Sequence, residues 1–287
     1  MQKPTDWLHY EARLNRVTDY IYAHLDDELD LIKLAEVAYL SPYHFHRIYR
    51  AARGETIFNT VQRLRLHRAA NALAQTSLSI AAISKQAGYK NIQSFTRTFN
   101  AAYGMPPARY RSHGSHAPYL NPQHARSSTM FNVTYKTIAD TEVVCVKHSG
   151  AYLQIGQTFD CLFSWLGARQ LIGANTRMMG VFFDDPSSVA EKELRSLACA
   201  TISLTASQTV TPEAPLECYT IAGGEYAVLH YQGPYAGLSA AYDWFYGTWL
   251  PQSGRELGSA PAFEEYLNNP ENTAPADLLT DIHMPLK

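Results

Sequence analysis

LIKLAEVAYLSPYHFHRIYRAARG, residues 31–54, returns about fifty residues later as SIAAISKQAGYKNIQSFTRTFNAAYG, residues 79–104. Ala38 matches Ala87, Leu40 matches Tyr89, Phe45 matches Phe95, Arg47 matches Arg97 and Gly54 matches Gly104. Each copy reads as helix, tight turn, helix. In the first, Leu31, Leu34, Ala35 and Ala38 make one apolar face at helical spacing. Ser41-Pro42 restarts the chain, because serine favours the N-cap and proline at the first helical position loses only an N–H without a helical partner. Phe45, Ile48 and Tyr49 then face inward, and Tyr43, His46 and Arg47 fall on the opposite face. In the second copy Ile80, Ile83 and Ala87 are buried, Gly88 ends the first helix, and Phe95 and Phe99 pack inward. Asn91, Ile92, Gln93 and Arg97 are left outward. Asn and Gln can pair with adenine edges, Arg can fork to guanine, and Ile can meet a thymine methyl. Two such outward helices are how a double helix-turn-helix presents side chains to major grooves. Between the copies, Arg63 and Arg65 lie on a basic helical segment suited to holding phosphates.

The charge distribution points the same way. Residues 1–112 hold 15 Lys/Arg and 9 Asp/Glu, a net of +6, whereas residues 113–287 hold 9 and 17, a net of −8. A local basic excess fits a polyanionic partner, here double-stranded DNA. Residues 113–129 have the proline, serine and histidine content of a linker, with no periodic apolar face. Cys145, Cys161, Cys199 and Cys218 form no metal-ligand spacing, so the expectation is free, mostly buried thiols and no metal or cofactor. The start shows no apolar leader and no apolar run reaches membrane-spanning length, so a cytoplasmic location and no membrane partner are expected.

Beyond the linker, short β-branched and aromatic runs at 131–138, 142–150, 198–204, 217–224 and 225–233 alternate with helical stretches at 153–171 and 237–250, an α+β pattern. A second repeat lies here: VVCVKHSGAYLQIGQTFDCLFSWL (143–166) echoes AVLHYQGPYAGLSAAYDWFYGTWL (227–250). Two related strand–helix units imply a pseudo-symmetric domain with a ligand seam between them. Aromatic side chains concentrate there, including Tyr152, Trp165, Phe182, Tyr235, Trp249 and Tyr266. Glu264, in the apolar stretch PAFEEYLN, is the candidate carboxylate for an organic cation; its neighbour Glu265 is expected to be solvated. An enzymatic alternative pairs Glu264 with Tyr152 or Tyr235 as acid and base, but no nucleophile triad, metal motif or phosphate loop accompanies it, and the chain is read as no enzyme.

Residues from about Leu14 to Arg111, closing on Gly104-Met105-Pro106-Pro107-Ala108-Arg109-Tyr110-Arg111, resemble the DNA-binding domain of AraC/XylS-family regulators. The resemblance implies base-reading positions at Tyr43, His46 and Arg47, then Ile92, Gln93 and Arg97. His46 and Ile92 stand where close relatives often have glutamine, so the target sequence is not transferable. Residues 130–287 resemble the GyrI-like small-molecule-binding domain, on the paired Gly-x-Tyr motifs, Phe263-Glu264-x-Tyr266-Leu267-Asn268 and the closing Asp281-Ile282-x-Met284-Pro285-Leu286. That implies a cleft for lipophilic, often cationic compounds with Glu264 at its centre. The expected organisation is an all-α double helix-turn-helix domain (1–112), a linker (113–129) and an α+β effector domain of two pseudo-symmetric strand–helix repeats (130–287). The expected role is a ligand-responsive regulator, an activator, binding an asymmetric DNA site and contacting RNA polymerase. The alternatives are a small-molecule hydrolase or sequestering protein, and a sensor acting through protein partners.

Overall fold

A computed structural model describes residues 5–27, 29–113, 130–202, 213–270 and 272–287. The N-terminal half is helical: α1 (Thr5–Ala23), α2 (Leu31–Ala38), α3 (Pro42–Arg53), α4 (Ile57–Gln75), α5 (Ile80–Gln86), α6 (Ile92–Tyr103) and α7 (Pro107–His113). The ends are set by local chemistry. Asp30 caps α2, Ser79 caps α5 and Asn91 caps α6, each side chain accepting from a backbone N–H of the first turn. Ser41 occupies the N-cap of α3 but makes no capping bond; its hydroxyl instead donates to Ser259 O at 2.9 Å, in the other half of the chain. Gly88 follows α5 at φ +82°, and a Cβ there would come within 2.8 Å of the Arg65 guanidinium, so both backbone and space require glycine.

The long helix α4 serves two cores. Ile57 and Leu64 pack with α1, α2 and α3, whereas Leu66, Ala69, Ala70 and Leu73 pack with Ile83, Phe95, Phe99, Tyr103 and Tyr110. The second helix-turn-helix therefore has its own core. The first does not: its buried residues run on without a break into Ala227, Leu229, Ala241, Phe245, Ile282 and Met284 of the C-terminal half.

That half is one antiparallel sheet of eight strands, among the described residues, with helices on one face. The strands are β1 (Asn132–Ile138), β2 (Thr141–Ser149), β3 (Met178–Phe182), β4 (Arg195–Ala200), β5 (Leu216–Ile221), β6 (Gly224–Gln232), β7 (Phe263–Tyr266) and β8 (Leu279–Pro285). Their order is β1-β6-β8-β7-β3-β4-β2-β5. Helix α8 (Gly156–Ala168) covers the β2/β4 end. At the β6/β8 end lies α9 (Leu238–Trp244), continuing through a π-helical turn, Phe245–Trp249, into α10 (Leu250–Ser253). The central pairing β7–β3 sets Glu264 opposite Gly180. Strands β3, β7 and β8 were not among the runs expected from sequence. The expected linker falls outside the described residues except His113, which ends α7. Of the cysteines, Cys145 and Cys199 are buried and face each other across β2 and β4, but Cys161 and Cys218 are exposed, against the expectation of mostly buried thiols. Among the described residues no helix is long and apolar enough to cross a membrane, and no His/Cys/Asp/Glu group could hold a metal ion.

Candidate nucleic-acid interface and ligand site

The two recognition helices differ in what covers them. On α6, Ile92, Gln93 and Arg97 are exposed, Ile92 by 44%. Asn91 is also exposed, but its side-chain oxygen accepts from Ser94 N at 2.8 Å. It starts the helix, so that oxygen is spent on the backbone rather than held out to a base.

On α3 the outward face is not free, which corrects the expectation for Tyr43, His46 and Arg47. The face turns away from the helical core as the periodicity requires, and the C-terminal half then packs on it. The Tyr43 ring lies 5.8 Å from that of Phe183. His46 buries its Nε2 without a hydrogen-bond partner; burial lowers its pKa, against the pull of Asp185 and Asp184. Arg47 stacks its guanidinium over the Tyr242 ring, 4.1 Å from the centroid, with Tyr246 at 5.6 Å and the Asp184 carbonyl accepting from it at 3.4 Å. One turn on, Arg50 meets Asp243 at 3.2 Å. The physical reason is composition: Tyr, His and Arg carry apolar bodies with polar tips, which suit a protein seam as well as a DNA groove.

His44, which sequence reasoning left unassigned, locks this seam. It is 1% exposed, with Nε2 2.8 Å from Ala260 O and Nδ1 2.7 Å from the Tyr246 hydroxyl. A carbonyl only accepts, so Nε2 carries the proton and Nδ1 accepts from the phenol. The ring is thus held neutral; burial drives its pKa down to about 4, helped by Arg47 and opposed by the Ala260 bond.

The basic segment also corrects an expectation. Arg63 forks onto Glu55, with its closest approach at 2.6 Å, and Arg65 donates to Leu25 O at 2.8 Å and Asp27 O at 3.1 Å. These bonds tie α4 to neighbouring segments of the helical half. They direct both guanidinium groups at the protein itself.

Behind Arg47 lies Glu264, 4% exposed. Its two oxygens accept from Tyr242 at 3.0 Å and Tyr266 at 2.9 Å. Burial raises its pKa to about 7, although both phenol bonds and the Arg47 charge favour the ionised form. Burial and the Glu264 charge push both phenols well above their usual range, so they remain donors at neutral pH. Tyr266 also meets Phe159 at 5.6 Å and Tyr235 at 5.4 Å, both edge-on. Tyr152 and Phe182 form an edge-on pair at 4.8 Å. Gly180 opens the floor: a Cβ there would sit 2.8 Å from the Phe182 ring and 2.9 Å from the Tyr266 hydroxyl. The geometry therefore gathers Glu264, Tyr266 and Tyr235, with Phe182 and Tyr152 adjoining across Gly180. The other two lie further out: Trp165 packs on the same core cluster as Phe182 and Tyr266 but sits under the exposed Arg169, and Trp249 packs against Phe245 and Tyr135.

Tyr152 is no acid/base partner for Glu264, because its hydroxyl is engaged with the backbone of Asp184 and Arg195. The phenols on Glu264 are Tyr242 and Tyr266. Tyr242 carried a readable signal: in the repeat it stands where the first copy has Phe159, so one copy alone presents a hydroxyl. Glu265, expected to be solvated, is 8% exposed on the opposite sheet face, forked by Arg177 at 2.6 and 2.7 Å and 3.4 Å from His283. Burial alone would raise its pKa, but Arg177 and His283 bring it to about 2.

Residues 131–287 match the model of the GyrI-like small molecule binding domain, and residues 34–113 match a helix-turn-helix domain. The right origin-binding protein of Escherichia coli (strain K12) is 23% identical over 276 residues, covering 93% of this chain and 96% of that protein. An uncharacterized HTH-type transcriptional regulator of Bacillus subtilis (strain 168), YbfP, is 31% identical over 105 residues, 37% of this chain and 36% of that protein. The bifunctional transcriptional activator/DNA repair enzyme AdaA of the same organism is 35% identical over 95 residues, 33% of this chain and 45% of that protein. The chain thus spans less than half the length of these two relatives. Among solved structures, EcmrR in a DNA complex aligns over 90% of this chain and 98% of its own, with a TM-score of 0.48 and 14% identity.

Proposed function

Because the chain belongs to the family of the GyrI-like small molecule binding domain, and carries ahead of it a helix-turn-helix domain of the AraC type, we propose that it is a transcription regulator sensing a lipophilic, cationic small molecule at Glu264. Reading of double-stranded DNA falls to α6 and, once uncovered, α3. The observation that carries this reading is the open face of α6, with Ile92, Gln93 and Arg97 all exposed on a helix whose other side has its own core. The net of +6 over residues 1–112 supplies the phosphate attraction. Two reading helices of one chain differ in sequence, so the site is asymmetric rather than palindromic. The regulator is an activator, and RNA polymerase is its protein partner.

The Glu264 end of the reading rests on a carboxylate with a pKa of about 7 enclosed by aromatic rings. Such a group gains most from a ligand cation that restores its charge balance out of water. The strand order, met alike from both rims inward, supports an effector seat at the seam of two related strand–helix units. Binding-site selection with the purified full chain, with and without a lipophilic cation, tests the whole. The expected result is enrichment of one asymmetric sequence, with affinity falling as salt rises. Equal binding to all sequences refutes the reading.

A further inference from the structure

The guanidinium of Arg47 sits where a cationic effector has to sit. It lies over the face of Tyr242, whose hydroxyl donates to Glu264, so helix α3, aromatic ring and buried carboxylate form one chain of contacts. Three features define the chemistry of this seat. The Tyr242 face accepts a flat cation. The Asp184 carbonyl accepts a single long hydrogen bond, 3.4 Å, from Arg47. Asp185, 6% exposed and close enough for its charge to be felt at Arg47, keeps one carboxylate oxygen buried with no partner; its other oxygen is taken by Ser187. A buried acceptor left unpaired is costly. The seat is thus filled by Arg47 but not satisfied by it.

We infer that Arg47 is an internal stand-in for the effector, and that the seat selects flat, delocalised cations bearing N–H donors, of the amidinium or guanidinium class, which displace Arg47 and with it α3. This deepens the proposed function and rests on its assignment of Glu264 as the effector carboxylate. An incoming amidinium offers what Arg47 offers to Tyr242, and adds donors for the Asp185 oxygen. The selectivity follows from the seat: a quaternary ammonium matches the charge but donates nothing, and a neutral amide lacks the charge. Effector and first recognition helix are alternative occupants, so the ligand acts by its preference for the form with α3 released. The same side chain that the helical repeat places at a base-reading position is the one that closes the sensor.

The test uses the full-length protein and three probes: benzamidinium, neutral benzamide and benzyltrimethylammonium, titrated by calorimetry. Arg47→Ala, which empties the seat, is expected to bind benzamidinium about tenfold or more tighter than the parent chain, because the ligand no longer competes with an internal cation. Glu264→Gln is expected to lose that binding. Amide hydrogen exchange on the parent chain needs no variant: saturating benzamidinium should speed exchange in α3 and leave α6 unchanged. Benzamidinium binding that needs Glu264 but is equal with and without Arg47, and leaves α3 exchange unaltered, overturns the stand-in while the effector reading survives. Equal affinity for benzyltrimethylammonium overturns the donor-dependent selectivity. No binding of any cation to the Arg47→Ala chain overturns both the inference and the cation reading beneath it.

Discussion

Acid should loosen α3 from its seat chiefly through His44, with His46, also lowered by burial, adding in the same direction. In the closed seam its ring is neutral, donating to Ala260 O and accepting from Tyr246, and its pKa is held at about 4. When α3 lifts away, the ring enters water and returns to its ordinary value of 6.5. Below pH 6.5 the open form therefore binds a proton that the closed form refuses. The seam is at full strength above that pH and weakens as pH falls toward 4. The whole difference is about 3 kcal/mol, and about 2 kcal/mol of it is lost by pH 5. That raises the opening constant about thirtyfold. Amide hydrogen exchange at pH 7.5 and 5.0, corrected for intrinsic rates, reads this directly. Helix α6 has its own core and serves as the reference in the same molecule. Glu264 titrates in the same window, so His44→Phe is the control. It removes the proton site and should flatten most of the pH response, while weakening the seam at neutral pH by about 1–3 kcal/mol through the Tyr246 and Ala260 groups left unpaired. Parallel changes in α3 and α6, or an unaltered pH response in His44→Phe, would refute the argument.

Other expectations follow from the same contacts. Cation affinity should rise with pH through about 7, because only ionised Glu264 draws the ligand; Glu264→Gln should show a flat profile in the same titration. Arg97→Ala should weaken specific DNA binding by about 1–3 kcal/mol and relax selectivity at one position, as band-shift assays with substituted sites would show. Arg63→Ala should instead lower the urea midpoint with little change in the salt dependence of DNA binding, since its guanidinium is forked onto Glu55. Glu265→Ala strands Arg177 and His283, and about 2 kcal/mol of unfolding free energy should go with it, discounted for the partial exposure of Arg177.

The helical half was legible because its signals are local. Periodicity, the restart of the chain at Ser41-Pro42 and Gly88 after α5 all act within a few residues, and the fifty-residue repeat reinforced them. What covers α3 was not legible. The outward residues Tyr43, His46 and Arg47 have the same amphipathic character whether the surface opposite is DNA or protein, and the partner surface, from Phe183 to Tyr246, lies far along the sequence. In the sheet, strands β1, β2, β5 and β6 were readable from their β-branched and aromatic runs. Strands β3, β7 and β8 were missed: MMGVF and FEEY are too short for a period to show, and β8 is mixed in character. Those three include the two of the central pairing. Glu264 stood out because its flanks are apolar. Glu265 was misjudged because strand alternation carried it to the other face, where Arg177 and His283 enclose it. Tyr242 is legible only through the repeat, where it stands in place of Phe159 and adds the hydroxyl that donates to Glu264.

The division of α4 between two cores has a consequence for time spent on DNA. This helix of 19 residues is about 28 Å long, close to the rise of about 34 Å between successive major grooves. On the proposed function it would work as a stiff ruler between two reading heads. With α3 seated on the sensor, such a protein would grip DNA by α6 alone and leave quickly. Once α3 is free, the ruler already holds it one groove away, so its arrival is an intramolecular step at high effective concentration. Neither head needs to change its own affinity. On that proposal the effector's free energy would be read out as residence time on the operator.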